Sequence, residues 1–164
     1  MKRNILTLTL ALCSIVVFSQ ETDTKRPLNS IYFNLLGEGS LISANYDRLF
    51  PISPNFHISG NIGMGYNQEI IILGESIPDR FLTIPHHLTG NIGKKQHLFE
   101  FGIGGTQLLG QDYSKYAIYP IIGYRLQPMK SKKFFLRASL HFPLQKIEDE
   151  WSFSIIGLSF GKSF

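Results

Sequence analysis

Glu100, Arg125 and Arg137 are single charges set into stretches where large apolar and small residues alternate. In an extended chain, Glu100 points away from Phe99 and Phe101, and Arg125 away from Tyr124 and Leu126. The three charges share the small-residue face of consecutive stretches, near one end, so they are expected to meet. Asp47 lies at a similar height, and His57 is a further candidate. Enclosed charges need partners, so the expected chemistry is an internal ion-pair network that neutralises itself. A gated path for a solute or for protons is the sharper alternative. His57, His86, His87 and His141 carry imidazoles, which ligate metals and titrate near neutrality. However, the sequence has no HExxH, and His86 and His87 point to opposite faces of a regular strand, so neither a metal nor any other cofactor is expected. Ser139 and His141 sit two apart on one face, a nucleophile and a base without an assigned acid. There is no GxGxxG loop, P-loop or GxSxG elbow.

The elements that must hold these residues have a period of two, and no amphipathic helix is legible. In 56–66, Phe56, Ile58, Ile62, Met64 and Tyr66 share one face, opposite His57, Ser59, Asn61, Gly63 and Gly65. The same split recurs in 97–107, 116–126, 134–142 and 154–164. Less regular strands at 30–36, 41–49 and 81–92 bring the number to about eight. An all-β fold follows: a closed, antiparallel, up-and-down transmembrane β-barrel over residues 30–164.

The membrane placement rests on which face is small. A narrow eight-stranded barrel has interior room for little beyond its own side chains, which suits glycine, serine and alanine with a few polar groups. A soluble lipocalin-like barrel would reverse the faces and carry many Lys and Glu outside. Here charged residues are 17% of the chain and aromatics 13%, whereas about 25% charge is usual in soluble domains. With both termini on the periplasmic side, the inner connections would be 49–55, 93–96 and 127–133, and the longer outer ones 67–80 and 143–151. Phe56, Phe99, Tyr124, Phe134 and Phe164 would then form a lower aromatic girdle, and Tyr66, Tyr116 and Phe142 an upper one.

Residues 1–19 read as a cleaved signal peptide, with Lys2 and Arg3 before an apolar run and Ser19 at the cleavage point. Residues 20–29 read as a flexible lead-in. The sole cysteine, Cys13, falls in the signal, which leaves the mature chain no disulfide, thiolate or Cys-based zinc site. Without Lys2 and Arg3 the basic residues fall from 16 to 14 against 12 acidic ones, a charge of +2 that makes no case for nucleic acid. The acidic residues of 147–151, with Glu69, Glu75, Asp79 and Asp112, are expected to be solvated loop charges.

The signal peptide, the alternating strands and the terminal GLSFGKSF resemble small outer-membrane barrels, in particular those of Bacteroidetes-type bacteria. The Ser19-Gln20 step, LGEGSLISANYDRLF (36–50), the GNIG strands and Gly123-Tyr124-Arg125 carry the same likeness. It covers nearly the whole mature chain. It implies that Phe164 is read by the barrel-insertion machinery, although Lys162 departs from the apolar residue common there. Outer-membrane lipid is the other implied partner. The leading reading is a non-enzymatic barrel with a structural or surface-interaction role around a closed, polar-packed lumen. Because some small barrels modify lipid A with Ser, His and an acid, an acylase or deacylase built on Ser139 and His141 is the alternative.

Overall fold

The computed structural model describes residues 26–68, 80–109, 114–129, 134–144 and 155–164. The expected signal peptide, most of the lead-in and the acidic segment 147–151 lie outside these residues. Eight strands are present: β1 Asn29–Leu35, β2 Ile42–Ser53, β3 Phe56–Gln68, β4 Arg80–Ile92, β5 His97–Leu109, β6 Ser114–Leu126, β7 Phe134–His141 and β8 Ile156–Ser163. Each pairs antiparallel with its neighbour in sequence, and β8 returns to β1, closing an up-and-down barrel. Among the described residues, no helix is long and apolar enough to cross a membrane.

Closure joins Ser30 to Ser163 and Phe33 to Phe160 across the β1–β8 seam. Backbone bonds from Asn29 N to Phe164 O (3.1 Å) and from Phe164 N to Asn29 O (2.9 Å) seal its lower end. The seam depends on Gly161, because a Cβ there would lie 2.1 Å from the Ile31 carbonyl oxygen. A closed barrel leaves no edge strand to template association.

Several strands depart from the bounds given by alternation, among them β3 to Gln68, β5 to Leu109 and β6 from Ser114, and two ends depart in ways with a local cause. β2 runs on through Ser53 with a register shift between Pro51 and Ser53, so the first inner connection is Pro54-Asn55 rather than 49–55. Pro51 and the irregularity break the period-two signal while the strand continues. β7 continues its pairing beyond His141, since Phe142 N bonds Pro120 O (3.2 Å) and Leu144 N bonds Ile118 O (3.1 Å). This lengthens a short strand along its β6 side.

The two faces of the wall are chemically opposite. Outside stand Phe33, Met64 (62% exposed), Leu88, Phe101, Ile122, Leu140 and Leu158. Inside, buried, are Ser30, Asn34, Asn45, Ser59, Asn61, Thr89, Asn91 and Ser159. The register runs Phe56↔Ile92, Ile92↔Phe99 and Phe99↔Tyr124, which aligns three lower aromatics in one cross-strand row.

Candidate functional site

The lumen gathers nearly all the chemistry of the described residues. Asp47 on β2, Glu100 on β5, Arg125 on β6 and Arg137 on β7 all point inward and are fully buried. Their strand positions follow from the alternation, and the register sets Arg125 directly opposite Arg137. Two guanidiniums so placed would repel one another, and each is drawn to its own carboxylate. Arg125 Nη2 donates to Asp47 Oδ1. Arg137 Nε donates to Glu100 Oε2 at 2.6 Å. Tyr32 stacks on Phe135 with ring centroids 4.8 Å apart, and the Arg125 guanidinium lies 5.0 Å from the Phe135 ring, so an aromatic pair backs one cation.

A third acid, Glu38, joins from the turn between β1 and β2. Arg137 Nη1 donates to Glu38 Oε1 at 2.8 Å. His87 Nδ1 lies 3.0 Å from the same oxygen, and His141 Nε2 lies 3.7 Å from it. His87 Nε2 is 3.9 Å from both Asp47 and Glu100, so this imidazole stands between all three carboxylates. Its angles do not form aligned hydrogen bonds, and both ring nitrogens remain without a hydrogen-bond partner. Glu38 belongs to the turn outside the strands. Burial alone would push its carboxyl up, yet the Arg137 guanidinium and then His87 hold it well below the usual carboxylate value.

Neutral side chains complete the filling. Thr89 donates its single hydroxyl proton to Glu100 Oε1 (2.8 Å), so Ser59 must donate to Thr89 across 2.6 Å. Asn61 Nδ2 donates to Tyr32 Oη at 2.9 Å. At the mouth near the termini, Gln127 accepts from Arg125 Nε (3.0 Å) and donates to Pro27 O (2.9 Å). Arg26, at the end of the expected lead-in, is buried there and donates to Lys95 O.

The structure thus brings together Glu100, Arg125, Arg137 and Asp47, and adds Glu38, His87 and His141. His57 faces the lumen but takes no part in these ion pairs. Glu38 escaped sequence reasoning because Leu-Gly-Glu-Gly-Ser reads as a solvated turn. His87 was assigned no role, although its parity with Thr89 and Asn91 already marked it as inward. His86 faces outward, where Nε2 lies 2.7 Å from Tyr116 Oη. Ser139 and His141 share the inner face, and Ser139 Oγ has no hydrogen-bond partner. Among the described residues, no group of three or more His, Cys, Asp and Glu is placed to hold a metal ion. Phe164 is exposed at the closing seam.

Fold and site together define a closed eight-stranded antiparallel β-barrel with an apolar outer wall and an ion-paired polar interior. No protein-family model, no curated protein and no solved structure matches the chain.

Proposed function

We propose that the chain is an outer-membrane β-barrel protein of a Gram-negative envelope, exported on the signal peptide at residues 1–19, with a structural or surface-interaction role. The observation that carries this reading is the inversion of the wall. Ile31, Ile62, Leu88, Ile103 and Leu158 are each more than half exposed, while Asp47, Glu100, Arg125 and Arg137 are fully buried. In water this arrangement leaves apolar surface unburied at about 25 cal/mol per Å² and sinks charges at a desolvation cost. Against hydrocarbon the apolar wall loses no burial, and the charges face inward, away from lipid, where they are ion-paired. A lipocalin-like binder would need the opposite faces.

The likeness to small Bacteroidetes-type barrels supports the same reading and gives Phe164 its role in insertion. Outer-membrane lipid and the insertion machinery are the partners. The deciding experiment is fractionation followed by gel mobility with and without boiling. Membrane recovery and a heat-dependent shift are expected, whereas soluble recovery with no shift would overturn the reading. Lipid-A mass spectra from cells with and without the gene address the enzymatic alternative. They are expected to match, and a lost or gained acyl chain would favour the enzymatic alternative.

A further inference from the structure

A recess of about 350 Å³ is set into the outer wall over β4, β5 and β6, within the size range of small-ligand pockets. Gly104 and Gly105 leave the wall without bulk there, and Leu88, Ile103 and Ile118 line it with hydrocarbon. Its rim is polar. Gly105 stands between His86 on β4 and Ile118 on β6 in the register. A Cβ on Gly105 would lie 2.0 Å from Tyr116 Oη, so glycine is what lets the Tyr116 ring lean across β5 to His86. The two rings stack with centroids 5.6 Å apart.

The hydrogen bonds of this pair have a fixed direction. His86 Nδ1 lies 3.1 Å from Ile84 O, a carbonyl that can only accept, so Nδ1 carries the proton of the neutral ring. The bare Nε2 then accepts the Tyr116 hydroxyl proton across 2.7 Å. Tyr116 has one proton and has given it away. Its oxygen, on a side chain 43% exposed, is left able only to accept. The ester carbonyl and phosphate oxygens of an ordinary membrane lipid are acceptors as well and cannot bond it, whereas a hydroxyl can.

We propose that this recess binds an acyl chain that carries a hydroxyl close to the head of its lipid, with the hydroxyl donating to Tyr116 Oη. The proposal rests on the membrane reading above, which surrounds the recess with acyl chains. Tyr116 lies near the upper end of β6, and Leu88 and Ile103 pair with one another further down the wall. That is the order in which a lipid of the outer leaflet presents a head-proximal hydroxyl and then its chain. A second copy of this barrel would bring an apolar wall to the rim and no donor.

The test uses the full chain folded in an amine-oxide detergent, which has no hydrogen-bond donor. The probes are the methyl ester of β-hydroxylated tetradecanoic acid and its unhydroxylated counterpart, which differ in one hydroxyl, and binding is read by native mass spectrometry. The hydroxylated ester is expected to bind about tenfold more tightly, the upper range of one net hydrogen bond. Nε2 becomes a free acceptor once the phenol is gone, so Tyr116→Phe is combined with His86→Leu, and the preference should disappear. Gly105→Leu fills the recess and should weaken both esters. The unboiled gel band reports whether each variant has folded. Equal binding of the two esters by the wild-type chain, or a preference that survives the double variant, overturns the proposal, as does binding of neither ester. A dimer that Gly105→Leu dissociates gives the recess to a second copy and also overturns it. Membrane fractionation reads the underlying placement independently: soluble recovery defeats the membrane reading, whereas membrane recovery without the ester preference defeats this proposal alone.

Discussion

Replacing Arg137 by leucine tests whether the lumen is a sealed ion-pair core or a wet channel. Arg137 gives Nε to Glu100 and Nη1 to Glu38, and all three side chains are fully buried. Leucine keeps much of the volume, so the dominant loss is electrostatic. Glu38 is left with His87 and His141, and Glu100 with Thr89 and the more distant His87. Removing one partner of a buried pair costs about 3–5 kcal/mol, because the orphaned charge stays desolvated. The assay is equilibrium urea unfolding in detergent micelles, followed by far-UV circular dichroism and by the unboiled gel band, with the denaturant slope checked for constancy. Arg137→Leu with Glu100→Leu removes one orphan along with its partner, so the double variant should recover about 1–3 kcal/mol of the loss. A single-variant loss below about 1 kcal/mol, the range of solvent-exposed pairs, would refute the sealed-core reasoning. It would mean that water already screens these charges.

The remaining predictions follow from single positions. The Glu38 carboxyl is held below its usual value of 4.5, so its stabilising contribution is complete above that pH and is lost as pH falls through the lowered value. The stability gap between wild type and Glu38→Gln should therefore stay constant from neutrality down to about pH 5 and close only at stronger acidity. A gap that closes between pH 7 and pH 5 would contradict the ion pairing. Gly161→Val places a side chain against the Ile31 carbonyl and should cost about 1–3 kcal/mol through a strained seam. The same urea titration would show it, and an unchanged midpoint would mean that the seam is looser than 2.1 Å implies. Phe164→Ala should reduce the folded band recovered from cells while leaving refolding of purified chain into detergent unchanged. Equal loss in both would make Phe164 a packing residue instead of an insertion signal.

Strand existence and facing were legible because alternation is a local property of the chain. Phe56 to Tyr66 carry it without interruption, and a single inward Glu100 or Arg125 stands out against it. β4 was harder to read, since Pro85, His86 and His87 interrupt the apolar series in mid-strand. Parity separates His86 from His87, but the height of His87 relative to Asp47 and Glu100 depends on two registers, β3 with β4 and β4 with β5. Glu38 was illegible for another reason. A Gly-Glu-Gly turn is equally at home in water, and only the space left by small residues above Arg137 makes folding it inward favourable. Sequence periodicity speaks to faces, whereas depth and loop direction are fixed by contacts between strands distant in the chain.

The inverted wall also explains why the interior must be a network and cannot be a handful of isolated pairs. An eight-stranded barrel is too narrow for an aqueous pore lined by free charges. Once the outer face is committed to apolar residues, the lumen holds whatever polar groups remain, and each must find its partners there. Asp47 with Arg125 and Glu100 with Arg137 join β2 to β6 and β5 to β7, across the barrel rather than along the hydrogen-bonded ladder. Ladder bonds fix neighbours but tolerate a slipped register. A slip of one residue in any one of these four strands would turn its charge to the apolar face and orphan its partner. The cross-barrel pairs thus make the observed strand register far more favourable than its neighbours, and they do so whether or not they add net stability.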